Sequence, residues 1–255
     1  MTDAREESVE VPDDGWRNAT LISTRRQSRH GRTLTFRVPG WPPHLPGQHV
    51  NVRLTSVDGY SAQRRYSIAG PYIRDQVAIT VDLRPHGEVS PYLVQTMKLG
   101  DQLDMCGPLG DDFVWDPDGR TAGEHPLVLV GREAGIVPLM SILRARGRSQ
   151  HRMPVLLVYA SRDSHSLMYR AALDELDERV ETRIIHGRSA HPSPPLTTGC
   201  LRPGDLREPS AWLALPTAHA YVSGADEFVD DATALLLERG HDLMQIRTER
   251  FGPEG

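Results

Sequence analysis

The stretch Gln63-Arg64-Arg65-Tyr66-Ser67-Ile68-Ala69 decides how the first part of the chain is interpreted. The residue types of Arg64, Tyr66 and Ser67 suit a flavin. A guanidinium can hold a pyrophosphate, an aromatic ring can lie against a flat isoalloxazine, and a hydroxyl can hydrogen-bond a ring nitrogen. Side chains alternate between the two faces of a strand, so Arg64 and Tyr66 would project to the same side. So short a motif is weak alone, because Arg and Tyr also alternate on ordinary exposed strands.

Composition limits the class of protein. The 255 residues suffice for one large domain or two ordinary ones. A net charge of -5 with mixed signs gives no basic face, so nucleic acid is not an expected partner. The charged, acidic N-terminus and the lack of a long apolar run predict no secretory signal and no membrane span. A cytoplasmic protein with reduced thiols is therefore expected.

Metal-based electron transfer is not expected within this chain. It contains 2 cysteines, which excludes a four-cysteine zinc or iron–sulfur site. The 11 histidines show no spacing typical of metal ligands. If electrons pass through this protein, an organic cofactor must carry them.

The first part of the chain has the pattern of short β-strands. Apolar and polar residues alternate in runs that end at Gly, Pro or Asp, at 33–38, 49–54 and 77–83. Several such strands at close spacing predict an antiparallel sandwich or barrel. One helix is predicted near 90–97, with Ser90 as its N-cap and Pro91 in its first turn.

The second part predicts a parallel sheet. A continuous apolar run at 126–130 is typical of a strand that is covered on both faces. Further strands and helices alternate after it, with strands at 155–159, 181–185 and 220–222 and helices at 136–146, 167–176 and 226–238. This alternation favours crossover units. The segment 189–209 is rich in Pro, Ser, Thr and Gly and is expected to be a loop.

Six segments, in this order, resemble the ferredoxin–NADP reductase superfamily, and most closely the stand-alone bacterial oxidoreductases with FAD-binding and pyridine-nucleotide-binding domains. The resemblance implies an N-terminal antiparallel Greek-key β-barrel followed by a C-terminal α/β parallel-sheet nucleotide-binding domain. We expect a tail at 1–15, the FAD-binding domain at 16–120 and the NAD(P)-binding-like domain at 121–255. The segments are Pro46-Gly-Gln-His-Val50, Arg64-Arg-Tyr-Ser67, Gly87-Glu-Val-Ser90, Gly107-Pro-Leu-Gly110, Gly135-Ile-Val-Pro138 and Arg247-Thr-Glu-Arg-Phe-Gly-Pro253.

The resemblance implies roles for the flavin-site residues. Arg64 would bind the FAD pyrophosphate, Tyr66 would pack on the isoalloxazine, and Ser67 would lie near the hydride-accepting nitrogen as a catalytic residue. Phe251 would approach the flavin or the adenine ring, and a buried packing role is an equal alternative.

A second part of the flavin site is implied at Gly87, Val89 and Ser90. A glycine allows close backbone approach, and the following helix would offer free N–H groups to phosphate. The simpler alternative is a helix that Ser90 merely caps, and both can hold at once.

The nucleotide loop departs from the family pattern. Relatives read Gly-Gly-Thr/Ser-Gly-Ile-x-Pro, whereas Arg132 and Glu133 replace the paired glycines here and Gly135 is kept. A carboxylate about 4 Å from a phosphate would repel it by on the order of 4 kcal/mol before screening. Arg132 would offset part of this repulsion or hold a phosphate itself. Alternatively, both side chains turn to solvent and nucleotide binding is only weaker.

Other nucleotide-site residues are implied with alternatives. Ser223 stands where the family usually has a Cys close to the nicotinamide, and we expect it to be catalytic in that place. Arg162, with Arg188 after the next strand, would contact a 2′-phosphate of NADP, although surface arginines after strands are common. FAD is thus the expected cofactor, and the departures leave NAD(P)H open.

Two functions from different classes follow. The first is an FAD-dependent oxidoreductase that passes electrons from NAD(P)H through the flavin to a separate acceptor, which is a ferredoxin, a flavodoxin, an oxygenase partner or a small molecule. The second is a flavoprotein that has lost NAD(P)H turnover and acts as a non-redox biosynthetic enzyme, such as a cyclase or isomerase, in the former nicotinamide cleft. A flavoprotein that only binds, as a sensor or scaffold, is a third alternative.

Overall fold

The structure is a computed structural model that describes residues 15–119, 125–150, 152–187, 201–212 and 217–252. Some sequence-based expectations fall outside these residues: the tail before Gly15, most of the loop expected at 189–209, and Arg188.

The first sheet contains six strands, all paired antiparallel. Its order is β4-β3-β6-β1-β2-β5. A bridge between Ile68 and Ile79 joins the two outer strands, so the sheet curls into a barrel, and the predicted barrel is confirmed. The strands are β1 (Trp16–Arg26), β2 (Gly31–Arg37), β3 (His49–Thr55), β4 (Ser61–Ser67), β5 (Gln76–Asp82) and β6 (Gln102–Leu109).

The second sheet contains five parallel strands in the order β11-β10-β7-β8-β9. Its central strands are buried, as expected for a parallel sheet between helices. The predicted α/β fold is confirmed. The elements are β7 (Leu127–Arg132), α1 (Ile136–Arg148), β8 (Val155–Ser161), α2 (Arg170–Asp174), β9 (Val180–His186), β10 (His219–Ala225), α3 (Asp226–Glu238) and β11 (Ile246–Phe251).

The helix predicted near 90–97 is present, but its predicted cap is not. A short helix is present there: Ser90 and Pro91 are helical and continue into a π-helical turn, Tyr92–Thr96, but no side chain caps it. The prediction of Ser90 as N-cap is wrong, because its hydroxyl accepts the Arg84 N–H at 3.0 Å. Ser90 therefore closes the loop that precedes the turn instead of capping the helix.

The sequence also misplaced one helix and missed one strand in the second part of the chain. The helix expected at 167–176 is only α2, because Tyr169 has a left-handed backbone with φ 60° immediately before it. The strand β11 was not predicted, although it lies in a segment that carries the family resemblance. Among the described residues, no helix combines the length and the apolar character needed to cross a bilayer.

Direct contacts join the two sheets. The Tyr169 hydroxyl hydrogen-bonds the hydroxyl of Thr80 in the barrel. On the other side, the Tyr221 hydroxyl donates to the Val114 carbonyl at 3.1 Å. These contacts fix the edge of the barrel against the carboxyl ends of the parallel strands, where ligands bind in open α/β sheets.

Candidate functional site

A cavity of about 630 Å³ lies where the barrel meets the parallel sheet. Its volume is typical of small-molecule sites. Its walls come from β4, from the loop after β5, from the turn after β7 and from the end of β11. Six of the residues predicted from the sequence line it: Arg64, Tyr66, Gly87, Val89, Ser90 and Phe251.

Arg64 and Tyr66 reach the cavity from the same face of β4, as their spacing predicted. Arg64 donates to Glu88 at 3.0 Å, and the Tyr60 hydroxyl donates to the same carboxylate at 2.6 Å. The Glu88 side chain is 49% exposed, so this ion pair contributes little to stability. A phosphate could therefore replace Glu88 as the partner of Arg64 at small cost.

Tyr66 forms a largely apolar wall of the cavity. It is buried, and burial raises the pKa of its phenol, so the ring stays neutral across the physiological range. On the opposite side, the end of β11 brings Phe251 to the same space. A flat aromatic ligand can therefore contact aromatic side chains from both sheets.

The loop from Arg84 to Ser90 supplies a polar end to the cavity. A Cβ added at Gly87 would lie 3.2 Å from the Ser90 hydroxyl and 3.3 Å from the Arg84 Cβ, so a side chain there would crowd the loop. Arg84 and His86 line the cavity with Arg64. An aromatic wall and a basic, glycine-containing end fit the flat ring and the pyrophosphate of FAD.

The sequence analysis missed Glu249, whose carboxyl group lies against Ser67 near this cavity. The Ser67 hydroxyl lies 3.3 Å from each carboxylate oxygen of Glu249. Both side chains are buried, and burial raises the pKa of Glu249 to about 7. The pair can therefore hold or release a proton near neutral pH.

The position of Glu249 follows from β11, which the sequence did not predict as a strand. Glu249 and Phe251 are two residues apart, so they share one face of the strand. The positive charge of Arg65 partly opposes the rise in the Glu249 pKa. Arg65 also donates to the Arg250 carbonyl at 2.6 Å, which joins β4 to β11 at the edge of the site.

Gly135 and Ser223 lie against each other, away from the cavity walls. A Cβ added at Gly135 would come within 2.1 Å of the Ser223 carbonyl oxygen, so glycine permits α1 to begin directly against β10. The Ser223 side chain is fully buried, and its hydroxyl has no hydrogen-bond partner among the described residues. The turn that precedes α1 therefore packs directly against the backbone of Ser223, at the predicted catalytic position.

The side chains of Glu133 and Arg132 contact different residues. The Glu133 side chain is only 15% exposed, so the alternative in which both side chains turn to solvent is wrong. Arg162, and not mainly Arg132, offsets its charge, with Nε 3.7 Å from a Glu133 carboxylate oxygen. Arg132 instead lies over the Phe228 ring, with its guanidinium carbon 6.0 Å from the ring centre.

Each of the two sheets lies in a part of the chain that matches a known domain family. Residues 18–114 match the oxidoreductase FAD-binding domain family. Residues 129–234 match the oxidoreductase NAD-binding domain family. The two matches cover most of the chain and follow the order of the two sheets, so the chain combines an FAD-binding and an NAD-binding domain.

Two curated relatives are components of larger systems. One of the subunits of 1,2-phenylacetyl-CoA epoxidase from Escherichia coli K12 is 26% identical over 246 residues, which cover 92% of this chain and 68% of that protein. The ferredoxin reductase component of 3-ketosteroid-9-alpha-monooxygenase from Rhodococcus rhodochrous is 31% identical over 184 residues, 69% of this chain and 50% of that protein. The chain thus spans between half and about two thirds of the length of these relatives.

A solved structure shares the fold. The ferredoxin NADP+ reductase from Neisseria gonorrhoeae with bound FAD and NADP superposes with a TM-score of 0.72. The alignment covers 92% of this chain and 98% of that one, at 20% sequence identity. At this identity the similarity shows the two-domain fold.

Proposed function

We propose, because the chain belongs to the ferredoxin–NADP reductase superfamily, that it is an FAD-dependent oxidoreductase that passes electrons from NAD(P)H to a separate acceptor. The observation that carries this proposal is the cavity shared by both sheets. Tyr66 from the barrel and Phe251 from the parallel sheet line one space with the basic loop at Arg84. A ligand held there would be reached from both domains.

The proposed flavin site uses the chain's own residues at each end of the cofactor. Arg64 would exchange Glu88 for the pyrophosphate, and the backbone at Gly87, Val89 and Ser90 would face the same group. Tyr66 would carry the isoalloxazine ring on its face. When bound, FAD supplies the redox chemistry, since it accepts a hydride from the nicotinamide and returns two electrons to an acceptor.

Ser67 and Glu249 would handle the proton that belongs to this exchange. A hydride carries two electrons and one proton, so a proton remains when the electrons leave. The Ser67 hydroxyl, 3.3 Å from the Glu249 carboxylate, can pass that proton to a group whose pKa is about 7. Glu249 is thus proposed as the proton store, and Ser67 as the residue that contacts the reacting nitrogen.

An oxygenase component is the favoured acceptor. One relative is named as the ferredoxin reductase component of a monooxygenase, and another as one of the subunits of an epoxidase. Both names describe a protein that works with partner components. A ferredoxin, a flavodoxin or a small molecule remains an alternative acceptor of the same electrons.

Two contacts at the carboxyl ends of the parallel strands favour the non-redox alternative. Gly135 packs against the Ser223 carbonyl, and the Glu133 carboxylate lies 3.7 Å from the Arg162 Nε. If these contacts prevent nicotinamide from reaching the flavin, the cleft would serve a non-redox substrate.

For either function we propose that the protein is located in the cytoplasm.

Anaerobic titration of the FAD-loaded protein with NADPH and then NADH tests the proposal. The reductase function requires that at least one of the two bleaches the visible absorption band of oxidised flavin. A band that neither nucleotide changes would reject the reductase function and favour the non-redox enzyme. Purification without any flavin, together with failure to bind added FAD, would reject both.

A further inference from the structure

In a nucleotide-binding sheet, the phosphate groups and the adenosine ribose of a dinucleotide bind beside the carboxyl ends of the first two strands. The diphosphate lies at the turn after the first strand, and the adenosine ribose lies near the end of the second. In this chain those strands are β7 and β8, which are adjacent and parallel. They are followed directly by Glu133 and Arg162. A dinucleotide bound at this edge of the sheet would therefore lie beside the charges of these two residues.

Glu133 is held in place by its backbone and by Arg162. Its φ is 51°, a left-handed conformation that a residue with a side chain rarely adopts. Its carboxylate lies 3.7 Å from the Arg162 Nε. The guanidinium at the end of β8 therefore already has an anionic partner from this chain.

Asp82 adds a second negative charge to this cluster. It lies at the end of β5, and its carboxylate interacts with both Glu133 and Arg162. Burial raises the pKa of both carboxyl groups, while Arg162 lowers both. Arg84 also interacts with Asp82, and Arg132 interacts only weakly with Glu133. Arg84 and then Arg162 thus offset the charge of Asp82, while Arg162 is the main cation that offsets the charge of Glu133.

We propose that Glu133 makes this chain select NADH over NADPH, because its carboxylate holds the Arg162 guanidinium that a 2′-phosphate would need. A 2′-phosphate would bring about two further negative charges beside Glu133 and Asp82. The 2′-hydroxyl of NADH is neutral and can donate a hydrogen bond to a carboxylate, as acidic residues accept from the ribose in NAD sites. This inference rests on the proposed function, since it concerns the dinucleotide of that reaction.

A charge-based selector differs from a simple steric block. A side chain that only fills space weakens NADH and NADPH alike, so the ratio of their affinities stays constant when it is changed. A carboxylate that occupies Arg162 weakens NADPH in particular. The ratio of the two dissociation constants therefore separates the two explanations.

The test is calorimetric titration of the FAD-loaded protein with NAD+ and with NADP+, which bind without reducing the flavin. Three variants are compared with the wild type. Glu133→Gln keeps the shape and removes the charge, and Glu133→Gln/Arg162→Ala also removes the guanidinium. Glu238→Gln is the matched control, since Glu238 is an exposed carboxylate at the end of α3 that neither lines the cavity nor contacts Arg162.

We expect the wild type and the Glu238→Gln control to bind NAD+ more tightly than NADP+. In Glu133→Gln the affinity ratio should move toward NADP+ by about fivefold or more, because Arg162 leaves a partly exposed ion pair and the Glu133 charge no longer repels the 2′-phosphate. The double variant should lose that gain. An unchanged ratio in Glu133→Gln, an equal shift in Glu238→Gln, or no binding of either nucleotide to any form would overturn the selector.

Failure of the reductase function has a different signature. A shifted ratio in the calorimetric titration, with a flavin that neither NADH nor NADPH bleaches, would retain the selector and reject the reductase. Flavin that NADH bleaches, with no shift in the ratio, would retain the reductase and reject the selector.

Discussion

Glu249 is the residue whose titration has the clearest consequence for stability. Its pKa is raised from the ordinary 4.5 to about 7 in the folded protein, because the carboxylate is buried. Between these two values the folded protein holds a proton that the unfolded chain has released. Stability therefore falls as pH rises through this window, by about 3 kcal/mol in total. Glu249→Gln should remove this part of the pH dependence.

Denaturant unfolding of FAD-loaded wild type, Glu249→Gln and the exposed control Glu238→Gln at pH 5 and pH 8 measures the effect. Relative to wild type, Glu249→Gln should gain stability between the two pH values, and the control should not. Parallel pH profiles for wild type and Glu249→Gln would show that the buried carboxyl does not titrate as described.

Arg64 and Tyr66 should each contribute to FAD retention. Arg64→Ala removes the guanidinium proposed to hold the pyrophosphate, and a charged hydrogen bond of this kind is worth about 1.5–3 kcal/mol. FAD affinity should fall by about 10- to 100-fold, and Tyr66→Ala should also weaken it by removing an aromatic wall. Arg37→Ala, at an exposed residue of β2, is the control.

Equilibrium dialysis of flavin from each purified variant measures this affinity. If Arg64→Ala and Tyr66→Ala both kept wild-type affinity, FAD would have to lie outside the cavity between the two sheets.

At the scale of elements, the start of α1 depends on Gly135. Its Cβ position lies 2.1 Å from the Ser223 carbonyl oxygen, so an added methyl would push α1 away from β10. Gly135→Ala should destabilise the protein by about 2–3 kcal/mol, as overpacking of a close contact does. Gly147 lies on the same helix with open space around its Cβ position. There the same substitution should stabilise the protein by up to about 1 kcal/mol.

Thermal unfolding of the two alanine variants distinguishes helix propensity from packing. We expect a lower melting temperature for Gly135→Ala and an equal or higher one for Gly147→Ala. Similar melting temperatures for the two variants would mean that α1 does not pack against β10 at this distance.

Much of the element pattern was predictable because it depends on local periodicity. The continuous apolar run of β7 and the alternation of β3 both matched strands of the structure. β11 was missed because four of its six residues are charged or polar, so its pairing with β10 and not its own sequence makes it a strand. Ser90 does not cap the helix because its hydroxyl accepts the Arg84 N–H of the preceding loop and no N–H of the helix.

Residues of the candidate site were predictable from the sequence only where they lie in the same short segment. Arg64 and Tyr66 share a strand face, and the structure places both at the cavity. The pairs Ser67–Glu249 and Glu133–Arg162 join residues that are distant in sequence. Their contacts depend on how the two sheets, and neighbouring strands within one sheet, meet. No local pattern contains that information.

At the scale of the whole molecule, the proposed electron transfer between two cofactors requires a fixed arrangement of the two sheets. Arg144 of α1 donates to the Ala69 carbonyl of the barrel and lies over the Tyr169 ring at 5.1 Å. Arg247 donates to the Asp112 carbonyl at 2.9 Å on the other side of the site. These contacts hold the FAD-binding and NAD-binding parts on opposite sides of one cavity.

The most direct measurement is rapid anaerobic mixing of the FAD-loaded protein with NADH, compared with NADH that carries deuterium at the transferred position of the nicotinamide. We predict that the flavin absorption band bleaches and that it bleaches more slowly with the deuterated nucleotide, because the bond to that hydrogen breaks in the step observed. A flavin band that remains unchanged on mixing with NADH and with NADPH would contradict the assignment of this chain as a reductase.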